Sequence, residues 1–316
     1  MSEPGRAMEI SSPAPGAPAR PQAPVSRRLL SLMLAVLEAA RPRQWPKNLL
    51  VFAAPLAGAS LGRADGFGYA LLAAAGFTAA SSAVYLINDV ADADRDRRHP
   101  TKRSRPVASG RLPAGLALAA AVAAVGVAFG ACALAGSAAL ALVIAIYLVF
   151  SLLYTSVLKH VPGVEVVFVA VGFVLRALGG AVATGVPPSG WFLTVCSLGA
   201  LMVALGKRYT ELAVLGDGAA HHRPVMRWYS QWTLRLSQRA VAAAMLAAYL
   251  TWAAGHPDSW MRAWHLISAA PLALALARFD YLTGLAEDRP VEDLIVRDPV
   301  MACCEITWLT LFLVGL

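Results

Sequence analysis

The stretch "YLINDVADADRDRRHPTKRSRP", Tyr85 to Pro106, closes a long apolar run with closely spaced acids and continues directly into a dense basic patch. Carboxylates followed by arginines at the mouth of an apolar segment need a reason, and the rest of the chain supplies it.

Apolar residues make up 58% of the 316 residues and charged residues only 15%, well below the roughly 25% of soluble domains. Mean hydropathy is +0.59. Apolar runs of bilayer-spanning length recur along the whole chain. They are too long for barrel strands, so helices must satisfy their backbones in lipid. The expectation is an all-α integral membrane protein with about nine transmembrane helices, near 45–62, 67–87, 114–134, 138–156, 163–184, 191–210, 239–255, 263–279 and 300–316. Residues 1–26, rich in Pro, Ala and Ser, read as a disordered N-terminal tail. Residues 27–316 read as one transmembrane domain, with 27–40 as an amphipathic helix at the interface.

The net charge of +8 follows topology. With the N-terminus cytoplasmic, Arg63, Arg176 and Arg262 are the sole Lys or Arg residues outside inner segments, as the positive-inside rule requires. The basic residues are not interleaved with exposed aromatics, so nucleic acid is not an expected partner. Cys132, Cys196, Cys303 and Cys304 lie in apolar spans without metal-ligand spacing. Outer connections are short, whereas inner ones are longer and carry the polar chemistry, so a site is sought in the inner loops.

At about 100° per residue, Asn88, Asp89, Asp92 and Asp96 share one helical face, with Tyr85 one turn earlier. Carboxylates so placed repel one another unless a cation lies between them. Hard oxygen ligands suit Mg²⁺, which also binds substrate phosphates. Asp94 points elsewhere. A solvated helix end whose acids pair with Arg95, Arg97 and Arg98 is the plainer alternative.

The spacing Asn88-Asp89-x-x-Asp92-x-x-x-Asp96 resembles the first aspartate-rich motif, NDxxDxxxD, of the UbiA superfamily of intramembrane transferases. The resemblance implies a UbiA-like helical bundle with polar cytoplasmic loops. It also implies Mg²⁺ on Asp89, Asp92 and Asp96, carrying the diphosphate of a donor positioned by Asn88. Lys102, Arg103 and Arg105 would then supply charge-assisted donors to phosphate oxygens. The family's second acidic motif, DxxxD, is missing, and "GKRYTEL" (Gly206–Leu212) stands in its region. Together with "RPRQWPKN" (Arg41–Asn48), "YTSVLKHVPGVEV" (Tyr154–Val166) and "PVEDLIVRDPV" (Pro290–Val300), this resembles the branch that transfers phosphoribosyl groups to decaprenyl phosphate. The likeness runs from Arg41 to the C-terminus.

That branch implies phosphoribosyl diphosphate (PRPP) as donor and decaprenyl phosphate, a membrane lipid, as acceptor. It further implies a role in supplying arabinose donors for cell-wall arabinogalactan, a plasma-membrane location, a cytoplasmic site with the C-terminus outside, and a homo-oligomer. An acceptor that is already anionic, beside a donor with its own 5-phosphate, suits more Lys and Arg and fewer Asp.

Lys47 and Asn48 fit either a snorkelling anchor beside Trp45 or ligands of the lipid phosphate. Tyr154, Lys159 and Glu165 belong to the substrate-binding candidates. Arg176 lies eleven residues after Glu165, about 16 Å along the same face, with room left by Gly172 and Gly179. An arginine within a span is expensive and points to a polar cavity or a buried ion pair. Lys207 and Glu211 fit an ordinary i,i+4 pair, and the resemblance adds them, with Arg208, to the donor or acceptor site. Asp293, Arg297 and Asp298 either line the site or order the last inner loop.

Two other functions compete. A prenyltransferase with an aromatic acceptor would share the metal site. A transporter of anions or phosphorylated lipids would use the basic loops but has no need of the acidic trio.

Overall fold

In the computed structural model, residues 25–62, 64–99, 101–158, 161–216, 224–285, 291, 295 and 297–316 are described. The tail expected over 1–26 therefore lies largely outside them, as do Lys159 and Asp293. The described residues form an all-helical multi-pass bundle: α1 (Val25–Ala39), a 3₁₀ segment (Pro42–Phe52), α2 (Ala53–Ala57), α3 (Ala64–Ala91), α4 (Ala93–Arg97), α5 (Ala114–Leu134), α6 (Ala138–Ser156), α7 (Val164–Thr184), α8 (Gly190–Leu215), α9 (Gln231–Ala254), α10 (Ser259–Gly284) and α11 (Pro299–Val314). Among them, α3, α5, α6, α7, α8 and α10 are long and apolar enough to cross a membrane. The first turns of α9 carry Arg235 and Arg239, and α11 is a shorter apolar helix of 16 residues.

The expected first span at 45–62 is not one α-helix. Pro42 and Pro46 remove backbone donors and Pro55 follows in α2, so the chain enters as a 3₁₀ segment and a single short turn of α-helix. Arg41, just before it, holds a left-handed backbone with φ 55° and ψ 65°, a conformation that costs a residue with a Cβ.

Helices begin where side chains satisfy their first amides. Ser137, Ser189, Asp258 and Asp298 each accept a hydrogen bond from the backbone N–H three residues on. Ser230 and Thr233 form a reciprocal capping box at α9.

Successive helices alternate in direction. The C-terminal ends of α3, α6, α8 and α10 therefore share one end of the bundle with the N-terminal ends of α5, α7, α9 and α11. In lipid the helices gain little from solvent exclusion, so close packing through small residues dominates. The central core joins Val51, Phe77, Leu140, Ile144 and Tyr147 across the 3₁₀ segment, α3 and α6. Gly180 of α7 lets the Val51 carbonyl approach so closely that a Cβ there would lie 1.7 Å from it. Gly179 does the same for the Phe77 ring, so Phe77 fills the room expected there, whereas the room at Gly172 holds the Arg176 guanidinium. A second core joins Ala35 and Ala39 of α1 to Leu86 and Leu112. The opposite face of α1 leaves Leu29, Leu30, Met33 and Leu34 exposed. That is the two-sided pattern of an interfacial helix.

Candidate functional site

The polar end of the bundle gathers most of the candidate residues, in two groups. The first lies where α3 ends. The helix breaks at Asp92 (φ −94°, ψ 1°) before α4, although the amides of Asp92 and Asp96 still reach the carbonyls four residues back. Asp89 and Asp96 are buried, at 2% and 3% exposure, whereas Asp92 is half-buried. Arg105, folded back from the loop, donates through Nη1 to Asp96 Oδ2 at 2.7 Å and to Asp89 Oδ1 at 3.4 Å. Arg41 donates to the same Asp89 Oδ1 at 2.6 Å and stacks over the Tyr85 ring at 4.9 Å. Asp92 pairs with Arg95 at 3.2 Å, and Asp94 pairs with Arg97 on the exposed side.

The three motif aspartates are thus not gathered into one cage. Among the described residues, no three His, Cys, Asp or Glu side chains converge as metal ligands. The helix breaks at Asp92, which pairs with Arg95, and guanidinium groups meet the other two. The donor set nevertheless fits Mg²⁺, which needs only one or two carboxylates beside waters and substrate phosphates. Hard oxygens already face a positive charge at Arg105. A dication there preserves the sign of the charge balance and releases a guanidinium suited to phosphate.

Lys102 and Arg103 are exposed on a 3₁₀ turn, while Arg105 is half-buried and turned inward. Arg111 makes a two-pronged pair with Glu38 of α1 at 2.7 and 2.8 Å. Hydrogen bonding to Arg111 holds the Glu38 carboxyl below its ordinary range.

The second group lies between α7 and α8. Arg208, 4% exposed, donates to Glu165 Oε1 at 2.7 Å and to Glu211 Oε2 at 2.6 Å. Glu165 is fully buried. Tyr229 accepts from the Gly163 amide at 2.7 Å and donates to Glu165 Oε1 at 3.4 Å. Burial pushes the Tyr229 hydroxyl above its ordinary pKa, so it stays protonated and keeps this donor role. Gly163, with φ 75°, turns the chain into α7 in a conformation glycine adopts freely. Asn88 donates to Thr155 Oγ1 of α6 at 3.1 Å, next to Tyr154. Lys207, half-buried, stands beside Arg208 on α8.

Asn48 and Arg176 belong elsewhere. Arg176, 6% exposed, donates to Asn48 Oδ1 at 2.7 Å, to the Gly172 carbonyl at 2.6 Å and to the Tyr147 hydroxyl at 3.0 Å. Its guanidinium also lies 4.8 Å from the Tyr147 ring centre. Asn48 donates in turn to Thr78 at 3.0 Å. These contacts bind the 3₁₀ segment to α3, α6 and α7, while Lys47 beside Asn48 is half-buried. Asp298 both caps α11 and pairs with Arg278 of α10 at 2.7 Å.

Arg41 and Tyr229 are the residues that sequence reasoning passed over. Arg41 was visible as a charge in "RPRQWPKN", but its partner is 48 positions away. Tyr229 carried no local signal. A third cluster was also missed: Arg235 and Arg239 of α9 both donate to Asp280 Oδ2 of α10, at 3.2 and 3.1 Å. Arg235 also donates to the Tyr209 hydroxyl at 3.1 Å. The available signal was an aspartate at the end of an apolar helix.

The chain is similar to a decaprenyl-phosphate phosphoribosyltransferase of Mycobacterium tuberculosis, 39% identical over 88% of this chain and 93% of the relative. One of Corynebacterium glutamicum is 35% identical over 86% and 84% of the two chains. In three dimensions it is similar to a UbiA homologue from Archaeoglobus fulgidus bound to GPP and Mg²⁺, with a TM-score of 0.64. That likeness covers 89% of this chain and 98% of the other at 15% identity, and establishes the fold alone. The profile of the UbiA prenyltransferase family matches residues 49–291, and the chain belongs to that family.

Proposed function

We propose that this protein transfers a 5-phosphoribosyl group from phosphoribosyl diphosphate to decaprenyl phosphate, releasing diphosphate, to supply arabinose donors for the cell wall. The observation that carries this reading is the charge balance at the polar end of the bundle. Two buried carboxylates of the aspartate motif are met by Arg41 and Arg105. The region of the family's second acidic motif presents Lys207 and Arg208 instead. Arg41 and Arg105 balance Asp89 and Asp96, Lys207 and Arg208 balance Glu165 and Glu211, and Lys102 and Arg103 add the positive charge that a site for two phosphate-bearing substrates calls for. The names of the relatives support the same reaction.

The residues assigned to donor and metal are Asn88, Asp89, Asp92 and Asp96, with Lys102, Arg103 and Arg105 on phosphate oxygens. Tyr85, Tyr154, Lys159, Glu165, Lys207, Arg208 and Glu211 complete the substrate-binding set. Of the membrane-side pair, Lys47 is retained as a lipid-phosphate ligand, with Asn48 and Arg176 holding the segment that carries it. When bound, Mg²⁺ supplies positive charge against the departing diphosphate. Arg105 and Arg41 add guanidinium donors on the same side. The bond from ribose C1 to the diphosphate oxygen breaks as an oxygen of decaprenyl phosphate bonds to C1 from the opposite face. The electron pair leaves with diphosphate and the anomeric configuration inverts. The attacking phosphate has no proton to lose, so positioning and electrostatics carry the reaction. The arrangement in the plasma membrane is nine passes, with the N-terminus and site cytoplasmic and the C-terminus outside.

The test uses purified protein in detergent with Mg²⁺. One arm contains decaprenyl phosphate and labelled phosphoribosyl diphosphate, the other a prenyl diphosphate and 4-hydroxybenzoate. Label in a lipid-soluble phosphoribosyl product, lost with EDTA, is the expected result. Prenylated aromatic product alone would overturn the choice of donor.

A further inference from the structure

Away from the aspartate motif, α9 and α10 enclose a groove of about 220 Å³. Arg239 and Asp280 stand at one end of it. Its walls are Ala242, Ala243 and Leu246 of α9 with Ala273, Leu276 and Ala277 of α10. From Arg239 to Leu246 the groove runs roughly 10 Å along the helix. It opens outward. Trp232, Leu236 and Leu250 lie on the same face of α9 as Arg239, at three- and four-residue steps, and all are exposed. In a membrane protein that face meets lipid.

The charges fix the level. Residues 240–254 of α9 and 266–277 of α10 carry no charged side chain. Arg239 and Asp280 therefore stand where the uncharged part of both helices ends, and the exposed Trp232 two turns before Arg239 is placed as interfacial tryptophans are. This is the depth of lipid phosphates. Arg235 and Arg239 share the single carboxylate of Asp280, so the cluster keeps one net positive charge. Arg239 is 60% exposed, with its Nε and Nη2 directed to Asp280.

We propose that this groove binds a bilayer lipid with a phosphate head. The head pairs with Arg239 and one hydrocarbon tail lies along the alanine-walled channel. Charge complementarity selects the head, and the small side chains leave a channel where larger ones would close the helix interface. The site is separate from the aspartate motif and does not depend on the reaction proposed above.

The experiment is native mass spectrometry of the full chain in detergent, titrated with phosphatidylglycerol, with inorganic phosphate as competitor. Arg239→Gln removes the cation. Ala277→Phe fills the groove and leaves the cation in place. The expected result is one tightly bound lipid in the unaltered protein, and affinity weakened about tenfold in each variant. Inorganic phosphate at the same concentration leaves the lipid bound. Thermal unfolding in detergent checks that both variants are folded, and Ala243→Phe replaces Ala277→Phe if that variant does not fold. Wild-type affinity in Arg239→Gln, or in the groove-filling variant, overturns the proposal. Displacement of the lipid by inorganic phosphate overturns it as well.

Discussion

Arg41 reaches Asp89 across 48 positions of sequence and donates to its Oδ1 at 2.6 Å from a left-handed backbone. This contact with a buried carboxylate of the aspartate motif adds Arg41 to the proposed site. Arg41→Ala should lower kcat/KM for phosphoribosyl diphosphate about ten- to a hundredfold, as expected for a lost charge-assisted hydrogen bond. Because Arg41 competes for Asp89, the same variant should need less Mg²⁺ for half-maximal rate. A Mg²⁺ titration of both proteins checks this, and an unchanged or higher requirement would count against the competition.

The three aspartates should separate by burial. Asp92 is half-buried beside an exposed arginine, so Asp92→Ala should abolish transfer and leave thermal unfolding near that of the unaltered protein. Asp89 is 2% exposed between two guanidinium groups. Asp89→Ala takes the carboxylate from Arg41 and leaves Arg105 on Asp96, and both arginines reach solvent, so it should destabilise by about 1–3 kcal/mol. Near-normal activity in Asp92→Ala would sink its assignment to the metal.

Glu165→Gln removes one of the two carboxylates on Arg208, where both partners of the pair are buried. Arg208 keeps Glu211 at 2.6 Å, so the loss should be about 1.5–3 kcal/mol, that of a hydrogen bond to a charged group. Tyr229→Phe keeps that pair and removes only a hydroxyl, so its cost should be about 1 kcal/mol. Denaturation of the two variants side by side tests the ranking.

Gly180→Ala places a methyl group 1.7 Å from the Val51 carbonyl. The backbone there cannot retreat like a flexible side chain, so the variant should lose about 3 kcal/mol or more. Gly185→Ala, at a left-handed position with open space around it, should cost less.

The Glu38–Arg111 pair predicts an acid-sensitive docking of α1. A carboxyl whose folded pKa is depressed contributes stability above its unfolded pKa, and that contribution disappears as pH falls through the folded value. Protease protection of α1 should therefore hold at neutral pH and weaken below about pH 4. Glu38→Gln should remove the pH dependence. The pair is half exposed, so the effect is local.

Local chemistry made much of the protein legible in its sequence. Apolar run length dictates helices in lipid, wherever the runs end up in the bundle. Prolines at 42, 46 and 55 show where an α-helix cannot continue, although hydropathy alone suggested an unbroken span. The acidic spacing from Asn88 to Asp96 is a property of consecutive residues, so it could be read without a structure. Tertiary structure decided which charge meets which. Arg105 turns back onto Asp89 and Asp96 while Lys102 and Arg103 face outward. Arg176 joins Asn48 and Tyr147, and Tyr229 closes on Gly163 and Glu165. Hydropathy and helical period are set by neighbours within a few turns. Ion pairs between distant segments depend on how close the helices approach, and that is set by packing at residues such as Gly180.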